Sequence, residues 1–152
     1  MIRLEHILTP ERSRVNVPGG SKKRVLEYIA HLISADLPDI DEAVLFESLV
    51  AREKLGSTGF GDGIAIPHCR LMGCHTPISA ILRLETAIDF DAIDGEPVDL
   101  LFVLLVPEAA TDAHLELLRQ IASIFEQDKV RERLRSAPNN AALYQAVLDA
   151  QN

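Results

Sequence analysis

Tryptophan is absent from this chain, and phenylalanine and tyrosine together supply only 5% of its 152 residues. Any packed interior must therefore be mainly aliphatic. No run of 18 or more apolar residues occurs, so no membrane-spanning helix is expected. The opening MIRLEHILTPER carries charge from residue 3 and lacks the apolar centre of a signal peptide, which points to the cytoplasm. Cysteine is scarce: Cys69 and Cys74 are the pair, too close in sequence to staple a domain. Positive charge is in the minority, with a formal net charge of -8 and a pI near 5.0. A nucleic-acid backbone would be repelled, whereas a protein partner with a basic face would be attracted. Internal repeats and low-complexity stretches are also missing. What remains, 47% hydrophobic and 25% charged, is the composition of one globular domain spanning residues 1–152.

Periodicity supplies the elements. Val17-Pro18-Gly19-Gly20 reads as a turn, and Ser21 as the cap of a helix to about Ala35. Its buried stripe is Val25, Ile29, Leu32 and Ile33, with His31 toward water. A second helix spans Asp41 to about Leu55 on Leu45, Phe46, Leu49 and Val50, and Gly56 closes it. A glycine-rich segment, Ser57–Gly63, leads into an expected strand Ile64-Ala65-Ile66 that Pro67 ends. Further strands are expected over Ile78–Leu84 and Val98–Val106, with Asp94-Gly95-Glu96-Pro97 as a turn between them and Pro107 as a stop. The run VDLLFVLLV suits a strand covered on both faces. Thr111 or Asp112 caps a helix to about Gln127, striped by His114, Leu117, Leu118, Ile121 and Phe125. A short helix over Val130–Leu134 follows, then a break at Pro138-Asn139 and a last helix to about Ala150. The mixture predicts an α/β domain with helices on both faces of a sheet.

His68 is the residue best placed for chemistry. A neutral imidazole is a good nucleophile, and attack on a phosphoryl group needs little from the protein beyond in-line approach and charge stabilisation. Glycines in the preceding loop, with Ser57 and Thr58, could bring N–H groups to phosphate oxygens at Gly59, Gly61 and Gly63. From spacing alone, Arg52 reads first as a cation complementing the C-terminus of its helix. His114 reads first as a partly buried histidine satisfied by a carbonyl, although a helix N-terminus also suits an anion. His68, Cys69, Cys74 and His75 form an H-C-x4-C-H pattern that invites a metal module. Its adjacent ligands fit zinc poorly, because successive side chains point apart in extended chain. The acidic cluster Asp89, Asp91, Asp94, Glu96 and Asp99 reads as a solvated face.

The stretch REKLGSTGFGDGIAIPH, from Arg52 to His68, resembles the fructose/mannitol-type IIA family of the bacterial phosphoenolpyruvate-dependent phosphotransferase system, and within it the nitrogen-related branch. The LLFVLLVPE strand and the His114-Leu115 helix start extend the resemblance over almost the whole chain. It implies a mixed, mostly parallel sheet with helices on both faces. It implies that His68 is the phosphorylated residue, that Arg52 contacts the phosphoryl group, and that His114 lies beside His68. The intervals of 16 and 46 residues match the family pattern. These implications displace the first readings of Arg52 and His114. No cofactor is implied. The implied donor is an HPr-like phosphocarrier charged by an enzyme I homologue. The implied targets are regulatory proteins such as sensor kinases or potassium transporters, in nitrogen control or potassium transport. The lack of a fused permease or IIB segment favours that regulatory role. A sugar-specific IIA feeding a fructose or mannitol permease IIB is the alternative that the same residues would serve.

Overall fold

The computed structural model describes residues 2–109 and 112–151, so the capping role expected of Thr111 lies outside the described residues. Five helices are present among them: α1 (Lys22–Asp36), α2 (Glu42–Leu55), α3 (Asp112–Phe125), α4 (Asp128–Ser136) and α5 (Asn140–Ala150). Three start where a side-chain oxygen replaces a missing intrahelical partner. Ser21 Oγ accepts the Arg24 N–H, Asp41 Oδ1 accepts that of Val44, and Asn139 Oδ1 accepts that of Ala142. His31 is exposed as expected, with Nδ1 3.0 Å from Glu42.

The strands are β1 (Ser13–Val17), β2 (Gly59–Gly61), β3 (Ile64–Ala65), β4 (His68–Leu71), β5 (Ile78–Ile88) and β6 (Val98–Pro107). They form one mixed sheet in the order β1-β5-β6-β3-β2, with β4 also on β6. β1–β5, β3–β6 and β4–β6 are parallel; β2–β3 and β5–β6 are antiparallel. β3 and β4 run one after the other along the same edge of β6, Ile64 opposite Leu100 and His68 opposite Leu104. β3 ends before Pro67 as the sequence predicts, but a new strand follows it on the same edge. Pro67 lacks an N–H, but its carbonyl accepts the Leu104 N–H at 2.9 Å, and the ladder resumes at His68.

β6 divides the interior. Leu101, Val103 and Leu105 face a layer made by α1 and α2; Leu100, Phe102 and Leu104 face the layer made by α3, α4 and α5. Each such buried side chain contributes about 1.5–3 kcal/mol. Phe102 also packs against Phe125 of α3, ring centroids 5.3 Å apart and tilted by 47°. The expected stripes hold, except that Phe46 and Val50 are only partly buried and line a groove between α1 and α2, and His114 and Leu118 of α3 are likewise only partly buried. No helix among the described residues is long and apolar enough to cross a membrane.

Candidate functional site

Strand alternation decides what β4 presents. Cys69 and Leu71 are buried in the α1/α2 layer. His68 and Arg70 take the other face, at the end of the sheet that α3 covers. A cleft of about 400 Å³ opens there, lined by Arg52, His68, Arg70, Asp112, His114 and Leu118, among others. Three elements meet in it: the last turn of α2 supplies Arg52, the start of β4 supplies His68, and the first turn of α3 supplies His114. The three residues expected to act together are thus brought together.

The His68 ring has a fixed tautomer. Nδ1 lies 2.7 Å from the Ile66 carbonyl oxygen, which can only accept. Nδ1 therefore carries the proton, and Nε2 holds a lone pair. Burial pushes the His68 pKa below its ordinary value; the Ile66 hydrogen bond opposes this, the Arg52 cation adds to it, and Glu53 opposes it more weakly. The ring is accordingly neutral near pH 7, the nucleophilic form. Arg52 is half-buried and donates from Nη1 to the Gly56 carbonyl at 2.8 Å. The rest of its guanidinium fork suits a tetrahedral anion in the cleft. His114 is also half-buried.

The glycine loop is placed otherwise. None of Ser57, Thr58, Gly59, Gly61 and Gly63 lines the cleft. Ser57 Oγ donates to the Phe90 carbonyl, Thr58 binds Glu53, and a Cβ on Gly59 would strike Ala92. Gly61 and Gly63 have φ of 114° and 79° and flank Asp62 in the turn between β2 and β3. Their backbone freedom serves that hairpin, and Gly63 also leaves room for the Arg135–Asp99 pair. The loop lies behind His68, where Thr58 O accepts the Ile66 N–H at 3.0 Å.

The residues of the H-C-x4-C-H pattern do not lie together as a set. His68 and Cys69 point to opposite faces of β4, Cys74 Sγ donates to the Thr76 carbonyl, and His75 is exposed. Among the described residues no group of three or more His, Cys, Asp or Glu converges. Sequence reasoning missed Arg70 and Asp112 as cleft residues. The signal for Arg70 was its place two after His68, on the same face once β4 is recognised as a strand.

Known proteins resemble this chain in sequence and in fold. The nitrogen regulatory protein of Pseudomonas aeruginosa is 71% identical over 152 residues, covering 100% of this chain and 99% of the relative. That of Escherichia coli is 42% identical over 99% of this chain and 92% of its own. The crystal structure of nitrogen regulatory protein IIA-Ntr from Neisseria meningitidis matches at a TM-score of 0.89 and 40% identity, covering 98% of this chain and 99% of that one. IIA mannitol from Escherichia coli, at 14% identity and a TM-score of 0.74, covering 95% and 98%, shares the fold. From residue 6 to residue 150 the chain matches the model of the phosphoenolpyruvate-dependent sugar phosphotransferase system EIIA 2 family, and with its nitrogen regulatory relatives it belongs to that family of phosphotransfer components.

Proposed function

We propose that His68 Nε2 accepts a phosphoryl group from the phosphohistidine of an HPr-like carrier, in a relay that begins with phosphoenolpyruvate and an enzyme I homologue. The observation that carries this reading is the Nδ1–H···O=C bond to Ile66, which leaves Nε2 bare in a cleft lined by Arg52 and His114. The phosphorus–nitrogen bond to Nε2 forms as that to the donor nitrogen breaks, and the donor ring keeps the electron pair. No proton has to leave His68, because its proton stays on Nδ1. The Arg52 fork and the His114 ring stabilise charge on the equatorial oxygens while the groups stay in line.

The transferred group places about -1.5 to -2 charges at the mouth of the cleft. That change selects partners: regulatory targets in nitrogen metabolism or potassium transport, such as sensor kinases or potassium transporters, dock on one form and not the other. The protein acts in the cytoplasm, where the donor is. The test is intact mass after mixing with phosphoenolpyruvate, an enzyme I homologue and an HPr-like carrier. One acid-labile phosphoryl group is expected, and none in His68→Ala. Labelling of His68→Ala at the wild-type rate would sink the assignment. Similarity to the fructose-specific EIIABC component of Bacillus subtilis, 26% over 96% of this chain but 23% of that protein, keeps a sugar branch in view. Onward transfer to a IIB domain would favour it.

A further inference from the structure

Glu53 stands where elementary electrostatics disfavours a carboxylate. It lies in the last turn of α2, at the negative end of the helix dipole, and its side chain is only 5% exposed. Donors converge on it. Oε1 accepts the Thr58 N–H at 3.2 Å and the Lys22 ammonium at 2.9 Å, and Oε2 accepts the Thr58 hydroxyl. Thr58 is thereby held by main chain and side chain at once. Its carbonyl accepts the Ile66 N–H at 3.0 Å, and the Ile66 carbonyl accepts His68 Nδ1–H at 2.7 Å. A continuous line of hydrogen bonds thus runs from Lys22 on α1, through Glu53 and Thr58, to the reactive ring. The coupling along it is positional: each bond fixes the place of the residue that makes the next.

An unrestrained neutral imidazole populates both tautomers, and only the Nδ1–H form has its lone pair on Nε2. We infer that Glu53 is a positioning residue: clamped by Lys22, its carboxylate holds the Thr58 segment so that the Ile66 carbonyl keeps the His68 proton on Nδ1 and Nε2 aimed into the cleft. Glu53 does not line the cleft and touches no reacting atom. Its Oε1 ion pair with Lys22 also ties α1 to α2, and that tie alone would be a structural role. The two roles differ in what they move. A structural tie changes the unfolding midpoint, whereas a positioning role changes the ring itself.

The consequence for transfer rate rests on His68 being the acceptor; the consequence for the ring does not. The test therefore starts with 15N resonances of the His68 ring in the unphosphorylated chain, at a pH where the ring is neutral. Wild type should show a protonated Nδ1 and a bare Nε2. In Glu53→Ala the two resonances should move toward each other. Phosphoryl acceptance should slow about tenfold, mostly in the first-order rate and little in the half-saturating donor concentration. Glu53→Gln keeps an oxygen for the Thr58 N–H and an amide for its hydroxyl, and should restore the wild-type ring pattern. Thr58→Val removes only the hydroxyl arm and should give an intermediate pattern; it decides the question if Glu53→Ala fails to fold. A wild-type ring pattern in Thr58→Val and in any folded Glu53→Ala, or no rescue by Glu53→Gln, overturns the inference. The expected ring patterns in wild type and in the variants, beside a wild type that accepts no phosphoryl group, would leave the positioning intact and remove the acceptor role instead; averaged resonances in wild type would overturn the positioning itself.

Discussion

Arg52→Ala tests the cleft most directly, because the structure separates what Arg52 does for the fold from what it offers a ligand. For the fold it contributes one hydrogen bond, Nη1 to the Gly56 carbonyl at a partly exposed helix end, worth about 0.5–1.5 kcal/mol. For an anion, a cation at ~4 Å in a medium of effective dielectric ~20 is worth about 4 kcal/mol. Only the part of that attraction that grows between bound donor and transition state affects rate. Charge is already present on the phosphoryl group and is redistributed among its oxygens, so about 2–3 kcal/mol is a reasonable share, or about 30- to 160-fold in rate. A second signature has a fixed sign. The Arg52 cation depresses the His68 pKa, so its removal raises that pKa and shifts the acid limb of phosphoryl acceptance to higher pH. Arg52→Lys keeps the charge and loses the planar fork: the limb should return toward wild type while the rate recovers only in part. Single-turnover transfer from a phosphorylated HPr-like carrier across the neutral-to-acid range, beside an NMR titration of His68, reads both. Acceptance within about threefold of wild type, or a limb that moves to lower pH, would refute the reasoning.

His68 also makes stability depend on pH. Its folded pKa lies below the ordinary 6.5, mainly through burial, so between the two values the unfolded chain binds more protons than the folded one. The stabilisation is complete above 6.5 and is lost as pH falls through the folded value; His68→Gln should flatten that part of a urea-midpoint curve, and parallel curves would contradict it. Burial pushes the Cys69 thiol up to about 12, the nearby Cys74 adding to the rise, and burial raises Cys74 as well. A thiol reagent at about pH 8 should label neither cysteine in the native protein and both in denaturant, since thiolate is the reactive form; rapid native labelling would count against the packing of β4.

Much of the helical layer was legible because its signals are local. Ser21 and Asp41 cap as their side chains predict, Asn139, read only as part of a break, caps the last helix, and the helix ends fall within a residue or two of the sequence expectation. The missing strands are those whose pattern is not local. Ser13–Val17 carries Asn16 at a positive φ and shows no clean alternation, and Gly59–Gly61 is mostly glycine. His68–Leu71 hides behind a proline and exists because β6 offers it an edge. The glycine loop is ambiguous for a related reason: left-handed backbone at Gly61, Asp62 and Gly63 serves a hairpin here, which sequence cannot distinguish from an anion nest. Arg52 and His114 gave no local signal that could outrank a helix dipole or a satisfied core histidine. Their relation to His68 is created by the meeting of α2, β4 and α3. Glu53 did leave a trace, as a negative charge in a last helical turn between Arg52 and Lys54, where a cation would be more favourable.

The double-faced burial of β6 carries a hazard for the newly made chain. Leu100–Val106 reads LLFVLLV, with no charge, proline or glycine, the composition that stacks readily with copies of itself. Asp99 and Pro107 stand at its two borders in the role of gatekeepers. All the strands it pairs with precede it in the chain, so during synthesis β6 arrives last and joins edges that have no other connection to one another. Until α3, α4 and α5 follow and close the second face, that segment is open. Substitutions that delay this closure should therefore appear less as soluble unfolded chain than as insoluble protein, at sites far from His68 and with its chemistry untouched.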